Sequence, residues 1–250
     1  MFQSYFRKPV KRSLDLDNVQ AVFFDLDGTL VDVDMHLFVP VYLNRLTEQM
    51  KELVEPASAT RAMHRAVAAM FANRDADKTL ETVLFDVLRD ELAMTPEQYR
   101  WCLQEFLQND LEGLRPLVVG HSLSTRLIDA ARARGWQVIL ATNPIFPRDV
   151  VDARVSWGGL DGDKFHHVTA YETEHFCKPH PDFFRENLDL LQLEAERCLM
   201  VGNDTLHDLS ASQVGMQTCL LTPWCIRRPK ERFRADWQGR HEDLLALIEA

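Results

Sequence analysis

Asp25 and Asp27 stand two positions apart in the stretch AVFFDLDGTLVD, residues 21–32. Side chains at that spacing on one strand share a face, so the pair loads a small volume with like charge unless the backbone bends between them. Such a pair calls for positive charge nearby. Further along stand Thr142 and Asn143, then Lys178, then Asn203, Asp204 and Asp208. Carboxylates, a lysine, a hydroxyl and an amide are what a phosphoryl group with a divalent cation requires: charge and donors around its oxygens, and a nucleophile in line. Alone, DxDG serves equally well as a turn before glycine. Whether these groups meet depends on the elements that carry them.

Residues 21–24 are a continuous apolar run with β-branched and aromatic side chains, and with the glycine that closes the segment at Gly28 they read as a buried strand of a parallel sheet, at about 20–26. From about 116 strands alternate with helices: a helix at 122–134, a strand at 136–141, a helix at 147–155 and a short strand near 168–170. A helix at 181–192, a strand at 198–201, a helix at 206–214 stopped by Gly215 and a strand at 218–221 follow. This alternation implies right-handed crossovers and a doubly wound parallel α/β sheet covered on both faces. Between 34 and 112 the pattern is helical throughout. Leu37, Val41, Leu43, Leu46 and Met50 mark one apolar face, and Thr95-Pro96 reads as an N-cap followed by the first helical residue. The expected organisation is an α/β core of residues 1–33 and 113–250, split by an all-helical cap at 34–112. Hinges are expected near 31–34 and 112–116, where Gly113 and Pro116 suit a bend. The tail from 223, including Ile226, Arg227, Arg228 and Lys230 and a short helix near 241–249, is expected to pack outside the core.

In such a sheet ligands bind beyond the carboxyl ends of the strands, and the groups named above all fall there. With DLDGT at 25–29, TN at 142–143, KP at 178–179 and VGNDTLHD at 201–208, the chain resembles the haloacid dehalogenase superfamily of hydrolases over about residues 20–221. The resemblance implies a Mg2+-dependent phosphatase acting on a small phosphorylated metabolite, with Asp25 as nucleophile forming an aspartyl-phosphate and Asp27 as general acid and base. It implies phosphate contacts from Gly28, Thr142, Asn143 and Lys178. It also implies a cap that closes over the site. Magnesium falls to Asp25, the main-chain carbonyl of Asp27 and an acid of the last motif. That motif departs from the common form: Asn203 stands where an aspartate is expected. Either Asp204 takes the metal, the reading favoured here, or Asn203 lies beside it with one charge fewer; Asp208 then supports the site or bonds Lys178.

The remaining features narrow the class. With 38 acidic against 28 basic residues and a formal charge of −10, a sequence-independent grip on nucleic acid is disfavoured. No apolar run approaches 18 residues, and the first residues lack a secretory signal, so a cytoplasmic enzyme without a membrane partner is expected. Five cysteines without a CxxC spacing fit reduced thiols, and His166, His167, His175 and His180 read as loop histidines, with no acids or thiols at metal-ligand spacing. Three rivals remain: a phosphomutase of the same fold, a dehalogenase, which does not need Asp27, and a silent protein that keeps the site without turnover. The sequence does not select the oligomeric state, or which of His36 and the cap arginines meets a substrate.

Overall fold

The computed structural model describes residues 14–229 and 232–250; the stretch before residue 14 and Lys230 lie outside them. Eight strands are present among the described residues: β1 (Ala21–Phe24), β2 (Val31–Asp32), β3 (Val119–Gly120), β4 (Gln137–Leu140), β5 (His167–Val168), β6 (Cys198–Gly202), β7 (Gln217–Leu221) and β8 (Trp237–Gly239). Six form one parallel sheet in the order β5-β4-β1-β6-β7-β8. Alternate residues of its central strands face opposite sides. Val22, Phe24, Val138, Leu140, Leu199 and Val201 join one buried cluster, while Ala21, Phe23, Ile139, Cys198 and Met200 join the other. Both faces are therefore apolar, which is why these strands read as unbroken hydrophobic runs.

Helices α1 (Met35–Glu48), α2 (Pro56–Ala72), α3 (Leu80–Leu92) and α4 (Pro96–Asn109) make up the insert, and α5 (Ser124–Ala133), α6 (Arg148–Trp157), α7 (Pro181–Leu191) and α8 (His241–Glu249) belong to the core. Helix α4 starts where the sequence places it. Thr95 Oγ1 accepts from the Gln98 amide at 3.3 Å, and Gln98 returns a bond to the Thr95 amide at 2.8 Å, closing a capping box ahead of Pro96. The insert and the core share one buried cluster through Phe38, Tyr42 and Phe146, whose rings meet edge to face at 5.1–5.8 Å.

Where core and insert join, β2 and β3 pair antiparallel. Gly113 and Pro116 lie just before β3 in a 3-10 helix, Leu111–Leu117, with Gly113 against Arg45. Two expectations are corrected. Residues 206–214 form no α-helix but a 3-10 helix at Leu209–Val214. Ser210 and Ser212 each hydrogen-bond the carbonyl three residues back, at 2.7 Å, favouring the tighter winding. Finally, the tail does not merely pack outside. It adds β8 as a sixth parallel strand, and on the way there it passes over the carboxyl ends of the strands.

Candidate active site

The register of the sheet assembles the site. Phe24 lies level with Leu140 on one side and Val201 on the other, so Asp25, Thr142 and Asn203 leave the sheet at nearly one height. The Asp25 amide donates to the Val201 carbonyl at 2.9 Å, and the Ala141 amide to the Phe24 carbonyl at 2.7 Å, fixing all three exits. After Asp27 the chain turns at Gly28, whose φ of +80° is left-handed. A Cβ there would meet Asn203 Nδ2 at 2.2 Å, so the first loop and the last motif are in contact only because residue 28 has no side chain.

Lys178 ties the carboxylates together. Its Nζ lies 2.8 Å from Asp25 Oδ1 and 2.6 Å from Asp208 Oδ1, with the lysine 2% exposed. Of the two places the sequence left open for Asp208, the bond to Lys178 is the one found. Asp208 Oδ2 accepts the amides of Asn203 and Asp204 at 2.9 and 2.8 Å, which locks the last motif around it. Burial works against the charge on Lys178, but Asp208 and Asp25 outweigh it and raise its pKa. Burial raises the Asp25 carboxyl, Lys178 pulls it back, and Asp208 and Asp27 push it up again, to about 7. Thr29 Oγ1 donates to Asp25 Oδ2 at 3.3 Å, and the Thr29 carbonyl in turn accepts from His241 Nε2 at 2.7 Å.

Asp27 has a partner that the sequence reading did not include. The guanidinium of Arg154, fully buried on α6, pairs with Asp27 Oδ2 and lies over the Phe146 ring at 4.4 Å. Thr142 Oγ1 is 3.5 Å from the same oxygen, while Asp27 Oδ1 is buried without a partner among the described residues. A signal for Arg154 was present: it stands three and four residues after Val151 and Val150, inside the apolar stripe of α6, and an arginine there needs a buried anion.

The tail contributes the second unexpected cation. Arg228 grips Asp204 Oδ2 through Nε and Nη2 at 2.9 and 2.6 Å, and Asp204 Oδ1 accepts the amides of Leu206 and His207 at 2.8 and 3.0 Å. Burial opposes the Asp204 charge, yet Arg228, His207 and the turn amides together hold its pKa below the usual carboxylate value. Asn203 donates through Nδ2 to the Trp224 carbonyl at 2.8 Å, which leaves its amide oxygen as the acceptor it can offer. Residues 226 and 228 border the site, and no periodicity in CIRRP marks Arg228 over Arg227. The histidines set apart earlier are structural: His166 accepts the Val138 amide, His167 and His175 bond Glu174 and Glu186, and His180 caps α7.

Asp25, Asp27, Thr142, Asn143, Lys178, Asn203, Asp204 and Asp208 all border one cavity of about 390 Å3 between core and cap, and Gly28 adjoins it through Asn203. Four carboxylates, Asp25, Asp27, Asp204 and Asp208, face three fixed cations, Lys178, Arg154 and Arg228. Burial lowers the His207 pKa despite neighbouring Asp204 and Asp208, so that imidazole adds no fixed charge at neutral pH. Once all four carboxylates are ionised the buried site is one positive charge short, and with oxygen donors on Asp25 and Asn203 it suits a hard divalent cation. Asp204 suits it poorly, because both of its oxygens already accept two bonds.

Comparison with known proteins agrees with this architecture. The model of the haloacid dehalogenase-like hydrolase family matches residues 19–214, and the chain belongs to that family. Among curated relatives, pyrophosphatase PpaX of Bacillus mycoides is 23% identical over 233 residues, covering 92% of this chain and 97% of that protein. Among solved structures, a predicted phosphoglycolate phosphatase from Haemophilus somnus superposes with a TM-score of 0.56 at 20% identity, covering 92% of this chain and 98% of that one. YfnB of Bacillus subtilis, whose structure is bound to magnesium, gives 0.55 at 16% identity, with 93% and 99% covered. No helix among the described residues is long and apolar enough to cross a membrane.

Proposed function

We propose that this hydrolase is a magnesium-dependent phosphatase that cleaves a small phosphorylated metabolite through an aspartyl-phosphate on Asp25. The observation that carries the reading is Lys178 held between Asp25 and Asp208 at one cavity, with a second carboxylate, Asp27, two residues from the first. Lys178 screens the charge of Asp25 from that of an approaching phosphate and fixes the direction of its Oδ1. The Thr142 hydroxyl and the Asn143 main chain are placed to receive phosphate oxygens, and Gly28 lets the loop approach them. An oxygen of Asp25 forms the new bond to phosphorus as the bond to the leaving oxygen breaks. Asp27 supplies the proton to that oxygen and later takes one from the attacking water. Its Oδ1 is the atom suited to this transfer, since Oδ2 is occupied by Arg154 and Thr142.

Asp25, the carbonyl of Asp27 and the amide oxygen of Asn203 would hold magnesium, with Asp204 left to Arg228. Bound there, the ion would neutralise charge on the transferring phosphoryl group. The presence of Asp27 disfavours a dehalogenase, and the pyrophosphatase name of the curated relatives supports phosphoryl chemistry. Inorganic phosphate release from an aryl phosphate, with magnesium or chelator, is expected from the wild type with magnesium and to be lost in Asp25→Asn. Undiminished release by Asp25→Asn would refute the mechanism.

A further inference from the structure

The cavity above Asp25 has two unlike ends. At the core end lie the carboxylates and their cations. At the cap end the wall is Met35, Val39 and Pro40 of α1, Val67 and Phe71 of α2, and Ile145 from the loop after β4. His36 is the one polar side chain that the cap adds. None of the cap's lysines or arginines borders the cavity. Arg45, Arg65, Lys78 and Arg100 are instead paired with Asp110, Glu91, Asp86 and Glu81 elsewhere on the insert. Among the described residues, the two cations that do border the cavity are both engaged, Lys178 by Asp25 and Asp208 and Arg228 by Asp204. A second phosphate or a carboxylate on the substrate would lose water at the apolar wall and find no free cation among the described residues there, a burial that costs far more than an apolar group of the same size gains.

We propose, on the reading of the site as a phosphatase, that its substrate is the phosphate monoester of an uncharged and largely apolar alcohol. The alcohol packs against α1 and α2. The substrate is thus neither a diphosphate nor a carboxylate-bearing ester, unlike those named for the similar proteins above. Phe71 anchors the apolar end: it is half-buried and stacks on His207 of the last motif, ring centroids 6.1 Å apart, so the cap wall is continuous with the catalytic floor.

Two measurements on the full chain test this, one with chemistry and one without. Phenyl phosphate should exceed phosphoglycolate and inorganic pyrophosphate in kcat/KM by on the order of 10- to 100-fold, the effect of leaving one desolvated charge unpaired. Calorimetric titration with the hydrolysis-resistant phenylphosphonate and phosphonoacetate, in magnesium, should give the same order of preference. Val67→Arg should narrow or invert it in both assays. If no ester is hydrolysed but phenylphosphonate still binds better, the phosphatase reading fails and the assignment of the cavity stands. Tighter binding of phosphonoacetate to the wild type, binding of neither analogue, or a preference untouched by Val67→Arg would overturn the assignment, whatever the turnover.

Discussion

Replacing Lys178 by methionine keeps the length and apolar stem of the side chain and removes its charge. Asp25 and Asp208, whose oxygens lie 2.8 and 2.6 Å from Nζ, are left facing one another with their shared cation gone. Breaking a buried pair in this way costs about 3–5 kcal/mol of stability. The loss should depend on pH, with a sign that the geometry sets. Asp25 titrates near 7 with Lys178 beside it, against 3.8 as its ordinary value, so its folded form holds a proton more tightly than the unfolded chain does. Stability therefore falls as pH rises from about 4 to about 7 in wild type and variant alike. Above that the wild type has released its proton and levels off. The variant, with a carboxyl pushed higher still, continues to lose about 1.4 kcal/mol per pH unit until its own pKa is passed. Urea unfolding in chelator at about pH 6, 7 and 8.5 should show a gap that widens with pH. A gap that stays constant or shrinks toward pH 8.5 would show that Lys178 does not hold the charge of Asp25.

Arg154→Met strands Asp27 in its buried position, and urea unfolding should read a loss of about 3–5 kcal/mol; a change below about 1 kcal/mol would mean that the pair is solvated. Asn203→Ala should raise the magnesium concentration needed for half-maximal turnover by on the order of tenfold, as outer or neutral ligands do when removed. Asp204→Ala should chiefly lower the melting temperature, and the reverse pattern would return the metal to Asp204. His241 is buried and stacked on His121 at 3.7 Å. Burial lowers its pKa, the bond to Thr29 opposes this, and His121 adds to it. Stability should then be complete above about pH 6.5 and fall as the unfolded histidine protonates below it, down to the lowered folded pKa. His241→Gln should flatten that stretch of a melting-temperature profile, and an unchanged slope would count against the assignment.

The sheet could be read in advance because its central strands are buried on both faces, and the first motif sits at the end of one of them. Strand β8 could not: Trp237, Gln238 and Gly239 form a partly exposed edge with no apolar run. The carboxylates and Lys178 were visible as residue types at strand ends, whereas the two arginine counter-ions were not. Arg154 is hidden by its valine neighbours, although its phase within α6 gave a clue. Arg228 lies in an aperiodic segment, where only the folded path shows which of two adjacent arginines turns toward Asp204. The proposal of Asn203 over Asp204 as a metal ligand rests on that same path.

The tail that crosses the strand ends also sets an order in time. Synthesis runs from Asp25 through Asp208 before it reaches Arg228, which fastens Asp204, and His241, which braces the carbonyl of Thr29. A growing chain that already carries every motif thus lacks both fastenings, and β7 still presents an open edge to its surroundings. The segment that fastens Asp204 and Thr29 also shields that edge, so one stretch of chain, the last to be made, completes both the floor of the site and the sheet beneath it.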